Sequence, residues 1–137
     1  MTQWLLLVHA AATLMMTGLV LFVAVVHYPL MAAVGAGEFV EYERRHVART
    51  TWVVAPLMLV EAGCVAGLVL AGAGWAAWVG AGLLGVCWGV TFGLNVPQHG
   101  RLAAGFDGNV HRGLVRAHWI RTAAWCGRSV VAVGMLV

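Results

Sequence analysis

Apolar residues run almost unbroken over four stretches of the chain, about residues 4–26, 51–71, 75–96 and 118–137. Each is about 20 residues long, the length that at a helical rise of about 1.5 Å crosses a hydrocarbon core about 30 Å thick. The strands of a membrane barrel would be about ten residues long with strict alternation, whereas these runs are rich in Leu, Ala, Gly and Val and nearly free of turn signals. The pattern predicts an all-α fold, an integral membrane four-helix bundle forming a single domain over residues 1–137. The opening MTQWLLL has no basic region and no clear cleavage site follows it, so the first run reads as a retained helix rather than a signal peptide.

Connections between the runs differ in kind. Gly72-Ala73-Gly74 joins the second run to the third, while residues 27–50 and 97–117 are long and polar. Within the first of these, residues 37–49 predict a short amphipathic helix, with Phe39, Val40 and Val47 toward the membrane interface and Glu38, Glu41, Glu43, Arg44 and Arg45 toward water.

Polar positions inside the apolar runs fall on helical faces. His118, Arg121, Thr122, Trp125, Arg128 and Ser129 recur at intervals of three and four, as do Trp88, Thr91, Asn95, Gln98 and His99. Thr51, Met58 and Glu61 mark the second run, and His9, Thr13 and Thr17 the first. Such residues face a bundle interior, because exposure to hydrocarbon is costly.

Composition sharpens this picture. Of 137 residues 62% are hydrophobic and 9% charged, and the mean hydropathy is +0.89. Lysine is absent, and the net charge of +3 rests on eight arginines against five acids. Arg44, Arg45, Arg49, Arg101, Arg112 and Arg116 all lie in the two long connections, which an even helix count puts on one side of the membrane. The positive-inside rule then sets those connections in the cytoplasm, with both termini outside, in a multi-pass protein of the cytoplasmic (inner) membrane. Arginines split in this way form no dense basic face, which excludes nucleic acid as a partner. Cys64, Cys87 and Cys126 sit singly in apolar surroundings and make no disulfide framework or CxxC pair. The small-residue ridges Ala81/Gly85/Gly89/Gly93 and Gly63/Gly67 point to close helix contact, within the chain or in a homo-oligomer.

Candidate chemistry gathers in two layers. Glu61 and Arg128 both fall near mid-membrane, where a guanidinium would keep a carboxylate ionised and where a buried pair would also fix helix register. His27, His46, His99 and His118 fall at the ends of the four runs on the arginine-rich side. That placement suggests imidazoles around a transition metal, a haem or a proton-transfer chain. His9 belongs to the opposite layer, as a second haem ligand or an interior donor. Carboxylate-bridged di-iron chemistry, which wants about four inward carboxylates, is excluded because only Glu61 lies in a span; GxSxG, HExxH and P-loop motifs are missing.

His27-Tyr28-Pro29-Leu30, Arg49-Thr50-Thr51-Trp52, Asn95-Val96-Pro97-Gln98-His99 and Trp119-Ile120-Arg121-Thr122-Ala123-Ala124-Trp125 together resemble the small four-helix bacterial membrane proteins grouped around anthrone-oxygenase-like sequences. The resemblance implies oxygenation or oxidation of a lipophilic aromatic or quinone-like substrate, with His27, Asn95, His99, Trp119 and Arg121 as the matching polar residues. His118 stands where that pattern has Asn before the tryptophan. A weaker likeness, carried by His9 and Gly18-Leu19, runs to the four-helix membrane protoporphyrinogen oxidases, which bind haem; their Arg-x-x-Asn-Glu-x-Pro ending is absent. On this reading His27, His99, Asn95 and Arg121 are the catalytic candidates. His9, His46, Trp119, Glu61 and Arg128 would contact a cofactor, and His27, His46, His99 and His118 would hold a metal if one is used. No cofactor, haem and a histidine-bound transition metal are the three cofactor states open here. A small transporter using Glu61 and Arg128, or a structural subunit using the glycine ridges, is the alternative to an enzyme.

Overall fold

The computed structural model describes residues 2–137, with side chains from Gln3 onward. Four long helices account for the described chain, and no strand occurs among these residues. Helix α1, residues 2–31, comprises Thr2–Phe22, a π-helical turn Val23–His27 and a last turn Tyr28–Met31. Helix α2 is Ala36–Leu70. Helix α3 comprises Gly74–Val90, a second π-helical turn Thr91–Asn95 and Val96–Leu102. Helix α4 is Gly108–Gly134.

Prolines explain both π turns. Pro29 and Pro97 have no N–H to give, and in an α-helix their rings would press on the carbonyl four residues back. Widening the preceding turn removes the conflict: the Tyr28 N–H donates to the Val23 carbonyl and the Val96 N–H to the Thr91 carbonyl, each five residues back. The last residue of each widened turn is a polar one, His27 in α1 and Asn95 in α3. The helices that follow also share a pattern: His46-Val47-Ala48-Arg49-Thr50 in α2 matches His118-Trp119-Ile120-Arg121-Thr122 in α4 as His-x-x-Arg-Thr. The chain is thus built as two helix pairs with the same proline device.

Helix ends follow from local chemistry. Gly72 and Gly74 adopt φ of 68° and 77°, a left-handed conformation that L side chains resist and that lets the chain reverse within the Ala71–Ala73 link. Asp107 caps α4, its carboxylate accepting from the N–H groups of Asn109 at 2.7 Å and Val110 at 3.2 Å.

Helix α1 packs on α2 and α4, and α3 packs on α4. The order around the bundle is α2, α1, α4, α3, and the ring is least closed where α2 faces α3. Residues Gln3–Met31, Ala36–Leu70 and Gly74–Leu102 are each long and apolar enough to cross a membrane. Helix α4 has the length but not the apolar composition, because its polar stripe is turned inward: His118, Arg121, Thr122, Trp125 and Arg128 are all buried. Met16, Val20, Met58, Cys87, Ala124 and Trp125 form a mid-bundle core. A second core of Val23, Tyr28, Met31, Phe39, Leu102 and Leu114 closes the end bearing the long connections.

Two sequence expectations need correction. Residues 37–49 are not a separate helix but the first third of α2, which at about 1.5 Å per residue is about 50 Å long and so extends about 15 residues beyond a core of about 30 Å. Glu43, expected to face water, is fully buried. The small-residue ridge of α3 is also not an internal contact, since a Cβ added at Gly85, Gly89 or Gly93 would meet nothing within 4 Å. Gly67 on α2 does make a close contact, with Leu5.

Candidate functional site

A cavity of about 820 Å³ fills the opening between α2 and α3 on the side of the bundle that carries the long connections. Its walls are largely apolar, with Val54, Met58, Leu59 and Phe92 among them, as suits a lipophilic occupant. Several polar groups converge on it, and they come from all four helices: Tyr28 from α1, Glu43 and His46 from α2, Thr91, Asn95 and His99 from α3, and Arg121 from α4.

Three of these form a hydrogen-bonded row. His99 Nδ1 lies 2.5 Å from Glu43 Oε1, and His99 Nε2 lies 3.1 Å from the Tyr28 hydroxyl. A carboxylate has only acceptors to offer, so Glu43 takes the Nδ1–H and leaves Nε2 to accept the Tyr28 O–H. The logic is that of a carboxylate that fixes the tautomer of an imidazole, which in turn draws a proton from a hydroxyl. Tyr28 is held from the other side by His111, whose Nε2 is 3.0 Å from the Tyr28 carbonyl.

Arg121 supplies the charge. It is 9% exposed and, among the described residues, has no carboxylate partner. Its Nε donates to His118 Nδ1 at 3.0 Å and its Nη1 to the Thr91 hydroxyl at 3.2 Å, and its guanidinium lies 5.9 Å from the centre of the Trp125 ring. Thr91 passes its own proton to the Cys87 carbonyl at 2.7 Å, which leaves its oxygen free to accept. A buried cation without a counter-ion on a cavity wall favours an anion in that cavity. Three more polar atoms of cavity-lining residues are buried without a hydrogen-bond partner: Glu43 Oε2, Asn95 Oδ1 and Trp88 Nε1. Burying such groups unpaired is costly.

The expected histidine rim divides. His27, His46 and His99 do meet: the His27 and His46 rings stack 4.2 Å apart, and His46 is 5.4 Å from His99. His118 stands apart from them as a ligand, because Nε2 lies 2.8 Å from the Val20 carbonyl and Nδ1 accepts from Arg121. With both nitrogens engaged it cannot complete a four-histidine metal site, and among the described residues no group of three His, Cys, Asp or Glu side chains is placed to hold a metal ion. His118 Nδ1 instead holds Arg121 in place by this hydrogen bond.

His46 lies about five residues outside the membrane-crossing part of α2. Burial, the neighbouring His27 and His99, and Arg121 hold it well below the usual imidazole range, at about 3. At the exposed end of the same helix, hydrogen bonds from Arg44 and Arg45 hold the Glu41 carboxyl at about 2.

The remaining candidates lie elsewhere. Glu61 and Arg128 pair as expected, with Arg128 Nη2 3.0 Å from Glu61 Oε1 and both side chains fully buried. Trp125 Nε1 donates to both Glu61 oxygens, at 3.2 and 3.0 Å, and Arg128 Nη1 to the Gly80 carbonyl at 2.7 Å. This cluster is not on the cavity wall, so it does not contact an occupant of that cavity as the cofactor role would need. His9 is buried in the same layer and lines neither this cavity nor the smaller one at the long-connection end. Trp119 is 47% exposed on the outside of α4, away from any cofactor in the bundle. Glu43, Tyr28, Thr91 and Trp88 are the site residues that sequence reasoning did not select as catalytic, cofactor or metal candidates. No protein-family model, curated protein or solved structure matches the chain.

Proposed function

We propose that this protein is a membrane enzyme of the oxygenase type that takes a lipophilic, weakly acidic aromatic or quinone-like substrate from the bilayer and removes a proton from it. The observation that carries the reading is the Glu43–His99–Tyr28 row on the wall of an apolar cavity that also holds the unpaired Arg121. In this scheme the substrate enters between α2 and α3. The Tyr28 hydroxyl takes the substrate proton while giving its own to His99 Nε2, and Glu43 steadies the imidazolium that results. Arg121 faces the oxyanion that develops on the substrate, in a site where little water competes. Such a carbanion or phenolate is electron-rich enough to reduce molecular oxygen, which would be the oxidant; an activated methylene then becomes a carbonyl and the second oxygen atom leaves as water. That last step rests on the resemblance to anthrone-oxygenase-like proteins. The long connections, with their arginines, would face the cytoplasm and both termini the outside of the cytoplasmic membrane.

The test is oxygen consumption and anthraquinone formation from anthrone by the protein in lipid nanodiscs. His99→Ala is expected to lower turnover by about a hundredfold or more, the scale of a lost general base, while leaving helical content and elution volume unchanged. Turnover that survives in His99→Ala would remove the row from the mechanism. The visible absorption spectrum and metal content of the same preparation separate cofactor-free chemistry from a haem or metal enzyme.

A further inference from the structure

We propose that His46 and His27 form a proton path that connects the buried Glu43–His99–Tyr28 site to a second, polar cavity at the end of the bundle. The inference rests on the reading that the inner site removes a proton from its substrate. A proton that arrives on His99 has to leave before the next turnover, and Glu43 beside it is fully buried.

The second cavity has a volume of about 480 Å³ and is walled by charged and polar groups, among them Glu38, Glu41, Tyr42 and Arg45. It lies along the part of α2 that extends beyond the span, where it is open to the surface. His46 and Thr50 line both cavities, and His27 lines the outer one. The partition between a lipophilic interior and a polar mouth is therefore made of groups that can carry protons. From His99 the next ring is His46 at 5.4 Å, then His27 at 4.2 Å, and the Tyr42 hydroxyl lies within 3.4 Å of both His27 nitrogens. The stacked rings are not directly hydrogen-bonded to one another, and each gap is crossed by a ring rotation or one bridging water. Thr50 supports this arrangement, its hydroxyl lying 3.1 Å from His46 Nδ1.

His46 is faced by His27 from α1, by Tyr42, Glu43 and Thr50 from α2, by His99 from α3 and by Arg121 from α4. Burial and the positive field of Arg121 disfavour a resident charge on it. It therefore passes a proton on, accepting at one nitrogen as the other releases, and does not store it.

The path is tested without oxygen, by isotope exchange. In deuterated buffer the site breaks a methylene C–H bond of anthrone and the proton goes by Tyr28 to His99. If that proton leaves through His46 and His27 and a deuteron returns the same way, a C–D bond forms; if it cannot leave, the original proton goes back to carbon and no label enters. No electrons change hands. Deuterium uptake is read by mass spectrometry, with the protein in anaerobic nanodiscs and protein-free nanodiscs as background. His46→Leu and His27→Leu are expected to slow uptake about tenfold or more, with anthrone binding, followed by fluorescence, unchanged in His27→Leu, whose side chain lines only the outer cavity. Added imidazole should restore uptake in His46→Ala, where the vacated space opens onto the outer cavity; a merely structural defect would not be rescued. Uptake in both variants equal to the unmodified protein would overturn the path alone. Slowed uptake that imidazole does not restore would also count against it. If the unmodified protein itself takes up no label above background, or His99→Ala takes up as much, the inner site is not a base and the path falls with it.

Discussion

Arg128→Met isolates the mid-membrane pair. With an N···O distance of 3.0 Å, Coulomb attraction at an effective dielectric of about 20 is about 5 kcal/mol, offset by several kcal/mol of desolvation for each ion. Removing the guanidinium leaves Glu61 fully buried with only the Trp125 N–H. Breaking a buried pair in this way costs about 3–5 kcal/mol. Glu61→Gln should cost a similar amount, since Arg128 then keeps the Gly80 carbonyl and Thr13 but loses its counter-charge. The double variant Glu61→Gln/Arg128→Met has no buried charge left to strand, and its loss should be smaller than either single loss by about 1 kcal/mol or more. Unfolding from mixed micelles by added dodecyl sulfate, followed by tryptophan fluorescence, gives the three free energies. Single losses below about 1 kcal/mol, or a double loss equal to their sum, would show that the two groups do not interact as a buried ion pair.

Other expectations can be checked on the same preparations. Arg121→Met should weaken binding of anthracene-9-carboxylate by about tenfold to a hundredfold, the scale of one lost charged hydrogen bond, as read by fluorescence titration; unchanged affinity would place the anion elsewhere. Because His46 is held near 3 when folded and near 6.5 when unfolded, the unfolded chain gains the proton first on acidification. Its contribution to stability is complete above about pH 6.5 and is lost as pH falls toward 3. Melting temperature in detergent should therefore fall less steeply between pH 7 and 4.5 in His46→Gln, and parallel curves would contradict the assignment. Gly89→Ala meets open space and should stabilise α3 by up to about 1 kcal/mol, whereas Gly67→Leu, forced against Leu5, should cost about 1–3 kcal/mol; chemical denaturation measures both. A loss of stability or a change of oligomeric state in Gly89→Ala would reveal a second chain against that ridge.

Periodicity made the bundle and the inward stripe of α4 legible, because a polar face among apolar residues has one low-energy orientation in a membrane. The Glu61–Arg128 pair was legible for the same reason, each group lying at the same depth on a helix of known rise. Glu43 was not. Surrounded by Glu41, Arg44 and Arg45 it looks like part of a solvated run, and the charge pattern outweighed a weaker signal. Phe39, Glu43, His46, Thr50, Val54, Met58 and Glu61 continue one helical face from the amphipathic segment into the span. That spacing is meaningful only if α2 is a single helix, and its one internal proline, Pro56, does not break it. The burial of Tyr28 and the turning of His27 and Asn95 depend on the π turns, whose one signal is the proline two residues later. His118 was misplaced because chain position puts it at the rim, while the side chain is claimed by the Val20 carbonyl and Arg121, contacts between residues 98 apart or on its own helix.

The three-residue link at Ala71–Ala73 makes α2 and α3 a clothes-peg. Joined tightly at one end and tied again by the Glu43–His99 hydrogen bond near the other, they enclose the cavity between residues 40–59 and 88–103. A small change of angle at that link would alter the gap along the cavity, so on the proposed reading the width of molecule admitted would be set far from the residues that touch it. Lengthening that link with flexible residues should loosen size selection while leaving every cavity side chain in place, and bulk in the link should tighten it. Lipid thickness would act on the same lever, since the bilayer presses on the jaws from outside.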